Sequence, residues 1–154
     1  MIRPALASDV ENISLLLCSL TNQFIAKDLE KAGLEIMLNS MQPDAIRNNL
    51  NSGFSYSVAL IDNEIVGVIG VKGHDHLYHL FVAELFQGQG IAKQLWLSVL
   101  NDLEPLYTSE YFVNASLNAV HFYKHLGFIA SSDVEIKNGI KFVPMKFTAT
   151  SNAD

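Results

Sequence analysis

The sequence has a single cysteine, Cys18, and no long apolar run. One cysteine cannot form an intramolecular disulfide, and the leucines around Cys18 favour a small buried residue over a reactive thiol. No stretch approaches the roughly 20 apolar residues that span a bilayer. Acidic side chains interrupt the first residues, where a signal peptide would need a continuous apolar segment. These absences predict a cytoplasmic protein with no membrane partner.

Basic residues are also scarce. Lys and Arg number 10 against 16 Asp and Glu, which gives a formal net charge of −6 with neutral histidines. Proteins that bind a phosphate backbone cluster their Lys and Arg side chains, and the sequence holds no such cluster. We therefore expect no nucleic-acid partner. An acidic balance is compatible with a cationic small molecule, because the sign of the field affects encounter, but it also serves solubility alone.

The composition is that of one globular domain. The chain has 154 residues, of which 49% are hydrophobic and 17% are charged. This is too short for two stable cores and too apolar for a disordered chain. We predict a single domain over residues 1–148 and a flexible polar tail over residues 149–154.

The hydrophobic periodicity alternates between strand and helix patterns. Strands are predicted at 2–5, 54–61, 64–71, 76–82, 110–115, 128–136 and 140–147. Helices are predicted from Val10, in broken form over 27–52, after Gly90, and over 116–126. Asp62-Asn63 and Asn138-Gly139 are typical of two-residue hairpin turns. The order predicts an α/β fold, a mixed sheet with helices on both faces.

Pro144 falls inside the last predicted strand. Proline has no N–H to donate to a neighbouring strand, so we expect an edge, a bulge or an early end of the strand there.

A glycine-rich turn, Gln87-Gly88-Gln89-Gly90, joins the strand at 76–82 to a helix that begins near Ile91. Glycines allow a close approach of the backbone to a ligand, and the free N–H groups of a helix N-terminus favour a pyrophosphate. The alternative is that the glycines only make a tight turn. The segment lacks the Gly-Lys-Ser/Thr of a P-loop and the third glycine of a Rossmann fingerprint.

Two motifs in order give this sequence a family resemblance. The run Gln87–Ala92 resembles the [RQ]-x-x-G-x-[GA] signature of the GNAT acetyltransferases. Ala119, Tyr123, Gly127 and Phe128 fit the A-x-x-x-Y-x-x-x-G-F of that family's last helix, and the closing Asn138–Met145 is similar to a poorly characterised small bacterial-type branch. The resemblance implies a GNAT-like, mostly antiparallel twisted sheet of about seven strands with helices on both faces.

The resemblance also implies an acyltransferase: an N-acetyltransferase that uses acetyl-CoA as co-substrate and acetylates a primary amine of a small molecule or peptide directly. The N–H groups of residues 88–93 would hold the CoA pyrophosphate, and strand residues 80–82 would bind the pantetheine arm. Gln87 stands where arginine is commoner, and Ser116 where the family often has asparagine, which leaves its contact with the cofactor open. The implied cofactor-binding residues are Leu80, Phe81, Val82, Gln87, Gly88, Gln89, Gly90, Ile91, Ala92, Lys93 and Ser116.

For proton transfer the resemblance implies Tyr123, as donor to the departing CoA thiolate, with a core tyrosine as the alternative. Strand alternation would place His76 on one face with Tyr78, Leu80 and Val82, and His79 on the other. In some branches of the family a His at this strand position accepts the amine's proton, and the alternative for His76 is an ordinary exposed strand-end histidine.

Two further histidines, His121 and His125, are four residues apart on a predicted helix. No carboxylate or cysteine pattern accompanies them, so we expect a solvated helical face and no metal site.

Other functions stay open at this stage. The chain could be a non-catalytic CoA-binding regulatory module, or an unrelated phosphate-binding α/β protein. Family members shape the acceptor pocket with segments that correspond to 21–52 and 131–141, and polyamines, amino-acid amines, aminoglycosides and protein N-termini all remain candidate acceptors. Dimers are common in the family, so a homodimer is a further implied partner.

Overall fold

The structure is a computed structural model that describes residues 1–103 and 110–149. The strands are β1 (Ile2–Pro4), β2 (Phe54–Ile61), β3 (Glu64–Lys72), β4 (His76–Val82), β5 (Glu110–Ala115), β6 (Ile129–Ala130), β7 (Glu135–Lys137) and β8 (Ile140–Thr148). The helices are α1 (Val10–Leu20), α2 (Lys31–Asn39), α3 (Pro43–Leu50), α4 (Ile91–Leu103) and α5 (Val120–Leu126), and a π-helical segment, Thr21–Ile25, follows α1. Except for Ala149, the predicted tail lies outside the described residues.

The described strands form one mixed sheet in the order β1-β2-β3-β4-β5-β8-β6, with β7 paired to β8. Every pair is antiparallel except β4–β5, which is parallel. The predicted α/β class and mostly antiparallel sheet are therefore confirmed. The single strand predicted over 128–136 is wrong, because residues 131–134 interrupt it and leave two short strands, β6 and β7.

Both predicted hairpin turns are present. Asp62 and Asn63 have φ of 52° and 65°, and Asn138 and Gly139 have φ of 54° and 78°. Positive φ at both central residues is the conformation that lets a two-residue loop match the twist of its strands.

Pro144 does not end β8, so the expectation of an early end is wrong; on the side away from β5, however, no described strand pairs with β8 at this residue. It lies opposite Asn114 of β5, and its carbonyl accepts the N–H of Ser131 from the other side. The nitrogen and carbonyl of a strand residue point towards the same neighbour. The missing N–H therefore faces the gap between β6, which ends at Ala130, and β7, which begins at Glu135. No strand on that side needs a hydrogen bond from Pro144.

Apolar layers cover both faces of the sheet. On one face Trp96 of α4 packs edge-on against Tyr111 and Phe147, with ring centroids 5.2 and 5.4 Å apart. On the other face α1 and α3 bury Ile13, Leu17 and Ile46. None of the described helices combines the length and apolar character needed to cross a bilayer.

A β-bulge interrupts β4. The register runs from Gly70 opposite His79 to Val71 opposite Leu77, so Tyr78 is the extra residue. Leu77 and Leu80 therefore both pack with the α4 layer, although they are three residues apart. The alternation expected along β4 fails at this point: His76 does not share a face with Leu80 and Val82, because the bulge exchanges the two faces.

Candidate functional site

The site is a cleft where two parallel strands separate. β4 and β5 pair only at His76 with Phe112 and at Leu77 with Val113, among the described residues. Beyond these pairs the strands diverge and leave a cavity of about 410 Å³. The segment 80–82 forms one wall, and Asn114 and Ser116 contribute to the opposite one.

The glycine turn lies beside this cleft. Gly88 and Gly90 have φ of 80° and 83°, the left-handed region that side chains with a Cβ rarely adopt. A Cβ at either position would meet no atom within 4 Å, so the backbone conformation and not lack of space requires glycine. The first helical hydrogen bond runs from Gln94 N–H to the Gly90 carbonyl. Residues 91–93 therefore have N–H groups without an intrahelical acceptor, which suits an anion.

Gln87 has a positioning contact within the protein. Its Nε2 donates to the Val82 carbonyl at 2.9 Å, which ties the glycine turn to the end of β4. The amide side chain therefore joins the two segments that were predicted to bind the cofactor.

Ser116 begins the turn that leads into α5. Its Oγ donates to Asn118 Oδ1 at 2.7 Å, and its carbonyl accepts the Ala119 N–H. Ser116, Asn118 and Ala119 line the cavity together. Asn118 was not singled out from the sequence, where it stands in no recognisable motif.

Tyr123 is both a core residue and a residue of the cavity wall. Its side chain is 6% exposed and packs against Phe122 and Phe128, yet it also lines the cavity. Burial raises the pKa of the phenol above its ordinary value, so it keeps its proton at neutral pH. The hydroxyl makes no hydrogen bond with any described residue.

His76 is half-buried in the cavity wall, at the end where β4 and β5 still pair. Burial lowers the pKa of this imidazole, the charge of Lys72 lowers it further, and Asp75 opposes the shift. His76 is therefore neutral near pH 7 and able to accept a proton.

His79 also reaches the cavity, and sequence reasoning missed it. It is 4% exposed, and its Nδ1 lies 3.0 Å from the Tyr56 hydroxyl, which accepts a hydrogen bond from Asn49 Nδ2. Burial lowers the pKa of His79 to about 3. An isolated glycine in a strand often marks a bulge, so Gly70 in β3 was the available signal.

The half of the cavity away from the glycine turn is mainly apolar, although Lys137 and Lys141 of the β7–β8 hairpin also line the cavity. Its wall comes from the end of α1, the π-helical segment, α2 and the β7–β8 hairpin, which lie in the segments 21–52 and 131–141 or beside them. Its main apolar side chains are Leu20, Phe24, Met37, Ile140 and Phe142.

A backbone contact holds α2 against the β7–β8 hairpin. The Glu30 N–H donates to the Gly139 carbonyl at 3.1 Å. A Cβ at Gly33 would collide with the same carbonyl, so this close approach requires glycine. The contact therefore holds together two elements, α2 and the hairpin, that both contribute side chains to the cavity wall.

The two helical histidines do not form a larger cluster. His121 and His125 have ring centroids 4.9 Å apart on the exposed side of α5. Over residues 1–103 and 110–149, no three His, Cys, Asp or Glu side chains lie close enough to hold a metal ion.

An open mixed sheet that splays between two parallel strands, with a glycine turn and a helix N-terminus at the opening, is the architecture of the acyl-CoA-binding transferases. The family model described as acetyltransferase (GNAT) domain matches residues 25–149. The chain therefore belongs to the GNAT acetyltransferase family, whose general reaction is acetyl transfer.

Solved structures agree on the fold. A GCN5-related N-acetyltransferase from Rhodopseudomonas palustris has a TM-score of 0.83 at 21% identity, over 96% of this chain and 94% of its own. PaiA N-acetyltransferase from Thermoplasma acidophilum, in complex with coenzyme A, has a TM-score of 0.76 at 19% identity, over 96% and 98%. An aminoglycoside 6′-N-acetyltransferase complexed with coenzyme A has a TM-score of 0.67 at 13% identity, over 100% and 99%. No curated protein sequence gives a significant match.

Proposed function

We propose that the protein is an acetyl-CoA-dependent N-acetyltransferase that acetylates a primary amine of a small molecule or peptide. The observation that carries the proposal is the convergence of three features on one cavity: Gln87 of the glycine turn, the part of β4 beyond its pairs with β5, and Tyr123. Two of the structural neighbours carry coenzyme A, which supports the same ligand here.

The residues present fit this co-substrate. The free N–H groups of residues 88–93 would hold the pyrophosphate, with Gly88 and Gly90 supplying the turn. The backbone of residues 80–82 would bind the pantetheine arm as an added strand in the splay. When bound, acetyl-CoA supplies an acetyl group activated as a thioester. A backbone N–H of β4 directed at the thioester oxygen would stabilise negative charge there by a few kcal/mol, roughly as an oxyanion-hole donor does.

Two proton movements accompany the transfer. A C–N bond forms between the amine and the acetyl carbon, the C–S bond breaks, the amine loses a proton and the thiolate gains one. Tyr123 holds its proton at neutral pH and would donate it to sulfur. Because a phenol is a weaker acid than a thiol, its position must favour this transfer. His76, neutral in the cavity wall, would accept the amine's proton directly or through water.

Calorimetry with acetyl-CoA, CoA and ADP tests the binding part of the proposal. We expect micromolar affinity for acetyl-CoA and CoA and a clear gain over ADP. Equal affinity for ADP, or no binding, would refute it.

Release of free CoA thiol with a panel of amines then tests the chemistry. Amine-dependent release above the rate of hydrolysis would support transfer. Tight CoA binding without transfer to any amine would favour the non-catalytic regulatory module instead.

A further inference from the structure

The charges of the cavity wall are of one sign. Among the described residues that line the cavity, Lys137 and Lys141 are the charged side chains, and no described Asp or Glu lines it. Both lysines are exposed residues at the cavity, and neither forms an ion pair with a described residue. A cationic group bound here would lose water without gaining a carboxylate, whereas an anionic group would meet a favourable field.

The hydrogen-bond network around His79 favours one of its two neutral tautomers. The buried Tyr56 hydroxyl accepts from Asn49 Nδ2 at 3.1 Å and lies 3.0 Å from His79 Nδ1. Burial raises the pKa of Tyr56 to about 12, so the phenol keeps its hydrogen. The phenol hydrogen still needs an acceptor, and Nδ1 is the one that the described hydrogen bonds offer, which favours a neutral His79 with its proton on Nε2.

The Nε2–H group of His79 is left for a ligand. It makes no hydrogen bond with a described residue, although His79 is 4% exposed and lies in the cavity wall. The pKa of about 3 keeps the ring neutral, so His79 is a hydrogen-bond donor and not a cation. Among the described residues, Trp96 Nε1 is the fully buried side-chain polar atom without a partner, so His79 Nε2 is not sealed from solvent, and an oxygen of the substrate would take the place of water there.

Two features of the backbone build this arrangement. The bulge at Tyr78 brings His79 opposite Gly70. A Cβ at Gly70 would collide with the ring of Tyr56, so glycine there makes room for the tyrosine that orients His79. The rings of Tyr78 and Phe81 flank His79 with centroids 4.6 and 5.9 Å away, which makes the surrounding wall aromatic.

We propose that the acceptor is a small primary amine with an apolar or aromatic body and a carboxylate group. His79 Nε2–H donates to a carboxylate oxygen, the two lysines supply the positive field, and the apolar half of the cavity holds the body. Polyamines and aminoglycosides, which carry further cationic groups, are excluded. This inference rests on the proposed N-acetyltransferase function.

Four amines that differ in one feature at a time test it: L-phenylalanine, L-phenylalaninamide, phenethylamine and spermidine. We expect kcat/KM for phenylalanine to exceed that for its amide and for phenethylamine by tenfold or more. Spermidine should give no acetylation above background.

Variants locate the preference. The double variant Lys137→Met/Lys141→Met should bring the ratio of kcat/KM between phenylalanine and phenylalaninamide close to one. Lys124→Met removes an exposed lysine of α5 outside the cavity wall and should leave that ratio unchanged. Tyr56→Phe removes the phenol hydrogen that is directed at His79 Nδ1, so the proton of His79 is no longer held on Nε2. This variant should raise KM for phenylalanine about tenfold and leave KM for phenethylamine unchanged. A merely structural role of Tyr56 would raise KM for both amines.

The outcomes separate this inference from the proposed function. Acetylation of phenylalaninamide as efficient as that of phenylalanine, or a preference for spermidine, would overturn the carboxylate assignment and leave the N-acetyltransferase intact. Failure of all four amines in the presence of bound acetyl-CoA would also overturn the carboxylate assignment, and the wider panel of amines would then decide the proposed function.

Discussion

Removal of one oxygen atom, in Tyr123→Phe, gives the sharpest test of the proposed chemistry. The ring is 6% exposed and packs against Phe122 and Phe128. The hydroxyl has no hydrogen-bond partner among the described residues, so its loss breaks no bond within the fold. Because phenylalanine keeps the ring and the shape of the core, we expect the free energy of unfolding to change by less than about 1 kcal/mol.

The effect on turnover should be much larger. A positioned general acid typically contributes about 10²–10⁴-fold to a rate. The raised pKa of Tyr123 makes it a weaker acid than an exposed phenol, so we expect the lower end of this range. A loss of about 100-fold in kcat corresponds to about 2.7 kcal/mol of transition-state stabilisation. The KM for acetyl-CoA should change little, because the proposed binding contacts come from the backbone of residues 80–82 and 88–93.

The assay is release of CoA thiol at saturating acetyl-CoA and amine. Calorimetric binding of CoA and the thermal unfolding midpoint serve as controls for the same variant. An unchanged kcat would remove Tyr123 from the mechanism. A fall in kcat that matches a loss of CoA affinity would make it a binding residue and refute the reasoning on proton delivery.

Three further changes are predicted. Gly90→Ala places a Cβ at a φ of 83° beside the proposed anion site, so the free energy of unfolding in urea should decrease by about 1–2 kcal/mol. Calorimetry should show CoA binding at least tenfold weaker, and unaltered affinity would contradict the proposed site. Gly33→Ala should lower the free energy of unfolding by about 1–3 kcal/mol, because the new Cβ collides with the Gly139 carbonyl and this outweighs the better helix propensity of alanine. A raised melting temperature would contradict this contact. The pKa of His79 is about 3 in the folded protein and ordinary in the unfolded chain, so the unfolded state binds more protons between pH 6.5 and 3. The free energy of unfolding should therefore decrease as the pH is lowered through this range, by up to about 1.4 kcal/mol per pH unit, and His79→Gln should reduce this pH dependence in urea unfolding.

The turns were predictable because their signals are local. Asp62-Asn63 and Asn138-Gly139 occupy positions that require positive φ, and few residues adopt it. Gly127 ends α5 for the same reason, with φ of 106°. The dipeptide or the glycine alone carries the information, so neither the sheet order nor the core is needed to read it.

The bulge at Tyr78 was not predictable from the pattern of β4. Hydrophobic alternation assumes that every residue is paired, and one unpaired residue exchanges the faces beyond it. Two histidines were misplaced in the prediction as a result. His76 was assigned to the same face as Leu80 and Val82, and His79, whose Nδ1 contacts Tyr56, was left out of the site. The contact that gives His79 its place in the site is with Tyr56 on β2, and the sequence of β4 alone does not predict a contact with another strand.

The two halves of the cavity also differ in how far the sequence predicts them. The half near the glycine turn relies on backbone geometry within residues 80–93, so a short motif predicts it. The apolar half is assembled from side chains of α1, α2 and the β7–β8 hairpin, which are far apart along the chain. Its character follows from packing, and no single segment of the sequence displays it.

Charge shows why a whole-chain property can mislead about a site. The net charge of −6 is compatible with a cationic acceptor, yet the described cavity wall carries lysines and no described carboxylate. Exposed charges are screened over about 8 Å at physiological salt, so the acidic surface influences encounter at a distance more than binding inside the cleft. Lys137 and Lys141 are also exposed, but they line the cavity itself, so their charges act on a bound ligand at shorter range. The acceptor class is therefore better inferred from Lys137, Lys141 and the His79 donor than from the composition of the chain.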